Sequence, residues 1–130
     1  MKVLTVDDSA AIRERLKTMI SEIPGAELVG EAEDGLGAIE EMKRLNPDIV
    51  LLDIKMGGMN GIGTVERIRD YGLTATVIMF TNYDYPQYRK KCMALGADYF
   101  FKKSTEFEKL REVIEKLVRE SKDQELKIED

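Results

Sequence analysis

The chain has 130 residues, 43% of them hydrophobic and 35% charged, with 20 basic and 25 acidic side chains and a net charge of −5. That is long enough for one domain with a real core and too apolar for a disordered chain, and its acidity argues against nucleic-acid binding by charge. With one cysteine and no histidine, a disulfide framework, a histidine-based zinc site, a Ser-His-Asp triad and a histidine proton shuttle are excluded.

The first run, Lys2 to Val6, is β-type and ends in Asp7-Asp8-Ser9. A helix follows, with Ile12, Leu16, Met19, Ile20 and Ile23 on one face, Ser9 as N-cap and Pro24-Gly25 as the stop. Residues 27–32 form a weaker strand, and residues 35–45 return to helical spacing through Leu36, Ile39, Met42 and Leu45. After Asn46-Pro47, the run 48–53 holds four consecutive apolar residues between two aspartates. A continuous run suits a strand covered on both faces. Beyond a glycine-rich loop at 57–61, a helix through Val65, Ile68 and Arg69 ends near Gly72. Residues 76–81 are a buried strand, 85–95 a weakly amphipathic helix, and 99–101 a strand. Residues 105 to about 121 form the best helix, with Phe107, Leu110, Val113, Ile114, Leu117 and Val118 on one stripe.

Five strands alternating with five helices predict an α/β fold. The sheet is open, parallel and doubly wound, with helices on both faces. Residues 1–120 make the domain, and the charged tail 121–130 frays, extends the last helix or begins a linker. Apolar runs are too short for a membrane helix, and the start MKVLTVDD is not a secretory signal. The expected setting is a reduced cytoplasm, with no membrane partner. Cys92 and the seven methionines read as core.

Ligand sites in such sheets lie beyond the carboxyl ends of the strands. Asp7, Asp8, Asp53, Thr81 and the lysines 102 and 103 all fall near those ends. Three carboxylates gathered there repel one another, and a divalent cation relieves the repulsion. Oxygen ligands without histidine or cysteine suit a hard ion, Mg²⁺ above all. A hydroxyl (Thr81) and an ammonium (Lys103 or Lys102) supply donors for phosphoryl oxygens. Asp53 ends the most buried strand and is the best-placed nucleophile toward phosphorus. Each residue alone has an ordinary explanation, as a cap, a loop residue or a solvated charge. Their joint occurrence at the ends of four strands does not.

The chain here resembles a receiver domain, the phosphoacceptor module of bacterial two-component response regulators, of the chemotaxis-regulator-like kind. The resemblance covers roughly residues 2–120 and rests on VDDSA at 6–10, LLDIKMGGMNGI at 51–62, Thr81 and Lys103. It implies a flavodoxin-like receiver fold, with Asp53 as the phosphorylation site. It also implies Mg²⁺ held by Asp53, by Asp7 or Asp8 (Asp8 favoured, the other through water) and by the backbone carbonyl of Lys55. Thr81 would contact the phosphoryl group and move when it arrives. The family places its lysine six residues after the alanine of a Gly-Ala pair, so Gly96-Ala97 selects Lys103. Its aromatic switch residue lies three before, at Phe100; Lys102 with Tyr99 is the shifted alternative.

The chain departs from the family pattern in three places, and two further positions flank the site. Gly57 replaces a usual proline and loosens the loop. Ser104 stands where proline with a preceding cis bond is common, and a cis bond there would be costly. Asn82 replaces a small residue and is expected to restrict access to the phosphoryl group. Lys55 and Tyr83 flank the site, where dephosphorylation rate is tuned.

The implied function is a signalling switch, not an enzyme with its own substrate. A sensor histidine kinase phosphorylates Asp53, and the surface of the fourth helix, fifth strand and fifth helix changes its binding to an output protein or a second copy. Arg89, Lys90 and Lys91 on one helix face candidate opposite charges Glu108, Glu112 and Glu115 on the other. The alternatives are a Mg²⁺-dependent phosphohydrolase with an aspartyl nucleophile, of the haloacid-dehalogenase kind, and a flavin-binding electron carrier. The first uses Asp-x-Asp after strand one, and the second needs a phosphate loop where Asp7-Asp8 would repel the phosphate.

Overall fold

A computed structural model describes residues 1–129. The elements, in chain order, are β1 (Lys2–Val6), α1 (Ala10–Ser21), β2 (Glu27–Ala32), α2 (Gly35–Leu45), β3 (Ile49–Leu52), α3 (Gly61–Asp70), β4 (Thr76–Thr81), α4 (Pro86–Leu95), β5 (Tyr99–Lys102) and α5 (Phe107–Glu129). All strand pairs are parallel, in the order β2-β1-β3-β4-β5. The predicted doubly wound α/β fold is therefore the observed one, and no helix among the described residues is long and apolar enough to cross a membrane.

Alternation along the central strands splits the core in two. Val50 and Leu52 of β3 pack with Met42, Val65, Ile68, Cys92 and Phe100 beneath α2, α3 and α4. Ile49 and Leu51 pack with Leu16, Ile20, Leu110, Ile114 and Val118 beneath α1 and α5. Every residue of β3 is buried, as the unbroken apolar run predicts.

Helix starts follow short polar side chains. Ser9 accepts from the Ile12 N–H, Asp34 from Gly37 and Asn60 from Gly63. Helix α4 lacks such a cap, starts on Pro86, and ends at Gly96, whose φ of 115° suits glycine. Only Cys92 of this helix is buried, which explains its weak sequence pattern.

Three expectations are corrected, and one alternative for the tail is selected. Leu36 is 61% exposed, because it lies on the outer face of α2, which rests on Gly35, Ala38, Ile39 and Met42. Met93 is exposed and Met1 and Met59 are half-buried, so only four of the methionines are core. The last helix begins at Phe107 rather than 105, because Thr105 and Glu106 form a turn back to the Lys102 carbonyl. It then continues through the charged segment as far as Glu129; Asp130 lies outside the described residues.

Candidate functional site

Strands β1 and β3 are neighbours, so their ends emerge side by side. The Asp7 N–H donates to the Ala32 carbonyl (3.0 Å) and the Asp53 N–H to the Val6 carbonyl (3.1 Å), carrying the ladder one residue past the strands. Asp7 and Asp53 are 2% and 6% exposed, while Asp8 faces solvent. One carboxylate oxygen from each of the three lies within 4.8 Å of the others.

Lys103 sits between the two buried acids. Its Nζ is 2.8 Å from Asp53 Oδ2 and 2.5 Å from Asp7 Oδ2. Burial raises the Asp7 carboxyl above its ordinary pKa, a rise only partly offset by hydrogen bonds from Lys103 and the Ser9 N–H. Burial alone would lower the Lys103 amine, but its bonds to Asp53 and Asp7 outweigh this and hold it above its ordinary value. Lys102 goes elsewhere, with its Nζ 3.7 Å from Asp84. Phe100 is buried in the α2–α4 compartment, whereas Tyr99 is half-buried and stacks on Phe101 on the opposite face.

Thr81 is fully buried at the end of β4. Its backbone carbonyl accepts from the Lys103 N–H (3.0 Å) and its Oγ1 accepts from the Tyr83 N–H (3.1 Å). Asn82, expected to restrict access to the phosphoryl group, accepts from the Ser104 N–H (3.0 Å) and ties the β4–α4 loop to the β5–α5 loop. No peptide bond among the described residues is cis.

The loop after β3 is anchored at both ends. Asp53 Oδ1 accepts from the Ile54 N–H (2.7 Å), and the Gly61 N–H donates to the Ile54 carbonyl (2.7 Å). A Cβ on Gly61 would lie 2.0 Å from the Asp53 carbonyl oxygen, so glycine is what lets α3 seat against the backbone of the acid. Between these anchors Gly58 has φ of 72° and Gly57 has open space around it. The Lys55 Nζ is exposed, 5.4 Å from the centre of the Tyr83 ring.

The all-oxygen donor set fits a hard divalent cation: two buried acids leave lone pairs beyond those given to Lys103, Ser9 and Ile54, and the exposed Asp8 opens the site to solvent. Two contributors escape the sequence reading. Gly61 lies in the glycine-rich loop, but only the packing explains it. Arg13, off the apolar face predicted for α1, is half-buried and donates to the Asp7 carbonyl (2.6 Å).

Comparison with known proteins agrees with this geometry. A family model described as the response regulator receiver domain matches residues 3–115. A protein-glutamate methylesterase/protein-glutamine glutaminase of Alkalilimnicola ehrlichii is 41% identical over 97 residues, 75% of this chain and 25% of that protein. The response regulator domain of Thermotoga maritima CheB superposes with a TM-score of 0.81 at 31% identity, covering 92% of this chain and 94% of that one. CheY in the CheX-CheY-BeF3-Mg complex of Borrelia burgdorferi has a TM-score of 0.76 at 30% identity, covering 88% and 89%. The chain spans from a quarter to about half the length of the curated relatives it matches.

Proposed function

The chain belongs to the response regulator receiver domain family, and from that premise we propose that Asp53 is the residue through which it works as a phosphoacceptor switch. A carboxylate oxygen of Asp53 attacks the phosphorus of a phosphohistidine on a sensor histidine kinase. The P–N bond breaks, its electron pair stays on the imidazole nitrogen, and an acyl phosphate forms. The observation that carries this reading is the convergence of Asp7, Asp8 and Asp53 around one point, with Lys103 already on Asp53.

Asp8 and Asp53 would hold Mg²⁺ directly together with the Lys55 carbonyl, and Asp7 through water. When bound, the ion supplies positive charge against the transferring oxygens. The similar Borrelia protein, in complex with CheX, BeF3 and Mg, supports the same ligand class here. Lys103 exchanges an Asp53 oxygen for a phosphoryl oxygen, and the Thr81 hydroxyl turns from the Tyr83 N–H to donate to another. Phosphorylation adds close to two negative charges, and this differential binding shifts the balance between two arrangements of the loops. Phe100 reports that shift to the surface of α4, β5 and α5, where an output protein or a second copy binds.

The unit is the domain 1–120, cytoplasmic, without nucleic-acid contacts of its own. Its chemistry is limited to its own phosphorylation and dephosphorylation. Its likeness to the methylesterase covers a quarter of that protein, and the single cysteine is buried, with its thiol pushed up to about 11 by desolvation. The phosphohydrolase reading has no support: the acids after β1 are adjacent rather than Asp-x-Asp.

Intact-mass measurement with acetyl phosphate and Mg²⁺ tests the assignment. Wild type gains one phosphoryl group and Asp53→Ala gains none; a gain that survives the substitution overturns it.

A further inference from the structure

We propose that Arg13 is a positioning residue for the acidic pair: its guanidinium fixes the peptide joining Asp7 to Asp8 and so aims Asp8 at the cation. The inference rests on the metal reading above and deepens it.

Asp7 and Asp53 are each fixed by their own side-chain contacts. Asp8 is different. Among the described residues its carboxylate has no hydrogen bond or ion pair, so only the backbone fixes where its Cα–Cβ bond starts and which positions its side-chain rotamers can reach. The carbonyl of the Asp7–Asp8 peptide accepts from Arg13 Nη1 at 2.6 Å. The other two guanidinium nitrogens are engaged as well: Nε lies 3.7 Å from Glu31 and Nη2 3.6 Å from Glu33. The planar fork therefore spans from the β1–α1 loop to the end of β2 and the residue after it, and holds the peptide plane from outside. Its side chain is 15% exposed, so the guanidinium is held in place rather than solvated.

The position of Arg13 is otherwise unfavourable. It lies in the first turn of α1, where the helix dipole disfavours a positive charge. A cation so close to a metal site also repels the metal. Simple electrostatics thus predicts that removing Arg13 strengthens Mg²⁺ binding. Positioning predicts the opposite, because an outer partner that orients a ligand is typically worth ten- to a hundredfold in metal affinity.

MgCl₂ titration of the whole chain by calorimetry, alongside thermal unfolding with and without MgCl₂, separates these. For Arg13→Ala we expect Mg²⁺ to bind about tenfold or more weakly, with a smaller Mg²⁺-induced rise in Tm. Arg13→Lys keeps the charge and loses the fork; it is expected to bind several-fold more weakly, and it carries the test if the alanine variant does not fold. Affinity unchanged within twofold in Arg13→Lys and in any folded Arg13→Ala, or tightened, overturns the inference even if Tm falls, since a merely structural arginine would give that pattern. If wild type takes up no Mg²⁺, the metal reading and this inference fail together; if wild type binds and the variants match it, the inference alone fails.

Discussion

Thr5 lies near the end of β1, fully buried, between Glu31 of β2 and Leu51 of β3, and its hydroxyl has no hydrogen-bond partner among the described residues. A buried hydroxyl left unpaired loses its hydration without compensation. Thr5→Val keeps the shape and removes the oxygen, so it should stabilise the fold by about 1 kcal/mol in denaturant unfolding; a loss of stability would mean the hydroxyl has a partner in solution. Gly61 is the converse case. Its α-carbon sits where any side chain meets the Asp53 backbone. Gly61→Ala should cost about 1–3 kcal/mol and slow phosphorylation by displacing the acid; wild-type melting with a wild-type rate would refute the contact. At this scale the acids, Thr81 and Lys103 could be read in the sequence, because strand ends of a parallel sheet converge by topology. Gly61 and Arg13 could not, since each depends on where a backbone or a long side chain goes in three dimensions, and alternation alone does not separate Lys103 from Lys102 without the Gly-Ala spacing of the family.

At the scale of elements, α5 is joined to β5 through Glu106. Its Oε1 accepts from the Lys102 N–H at 2.9 Å and its Oε2 from Lys109 at 3.1 Å. Those bonds, the Lys102 N–H foremost, hold its carboxyl below the ordinary value of 4.5. A depressed acid contributes stability that is complete above its unfolded pKa and disappears as pH falls through the folded one. Glu106→Gln should therefore lower Tm near neutrality and flatten its decline below about pH 5; Tm curves that stay parallel down to acid would show the cap to be inert. The sequence indicates most elements because caps and the 3.6-residue period are local. It misplaces Leu36, whose burial depends on which face of α2 meets the sheet, and the start of α5, where a local turn back onto Lys102 precedes the helix. Helix α4 sits between: with one buried residue, it is held partly by Arg89, which donates to the Phe100 carbonyl (3.0 Å) with its guanidinium 5.2 Å from that ring.

For the molecule as a whole, the charges foreseen at the output surface are only partly free. Arg89 is engaged with Phe100 and Glu115 pairs with Arg111 at 3.7 Å, while Lys90, Lys91, Glu108 and Glu112 remain exposed. A phosphorylated dimer built on that remainder should weaken as salt rises, because exposed pairs are screened within about 10 Å at 0.1 M ionic strength. Sedimentation of the phosphorylated chain across a salt series measures this; a single monomeric species throughout leaves the surface to an output protein. The division of the interior into two compartments has its own consequence. Alternation puts Asp53 on the side of Leu51, whereas Phe100 packs on the side of Leu52. Under the proposed function, a message written on the side of Leu51 would be read on the side of Leu52, and the Lys103 N–H on the Thr81 carbonyl joins the two strand ends between them. Each chamber can then be repacked by mutation with little effect on its neighbour, provided that this junction keeps its shape.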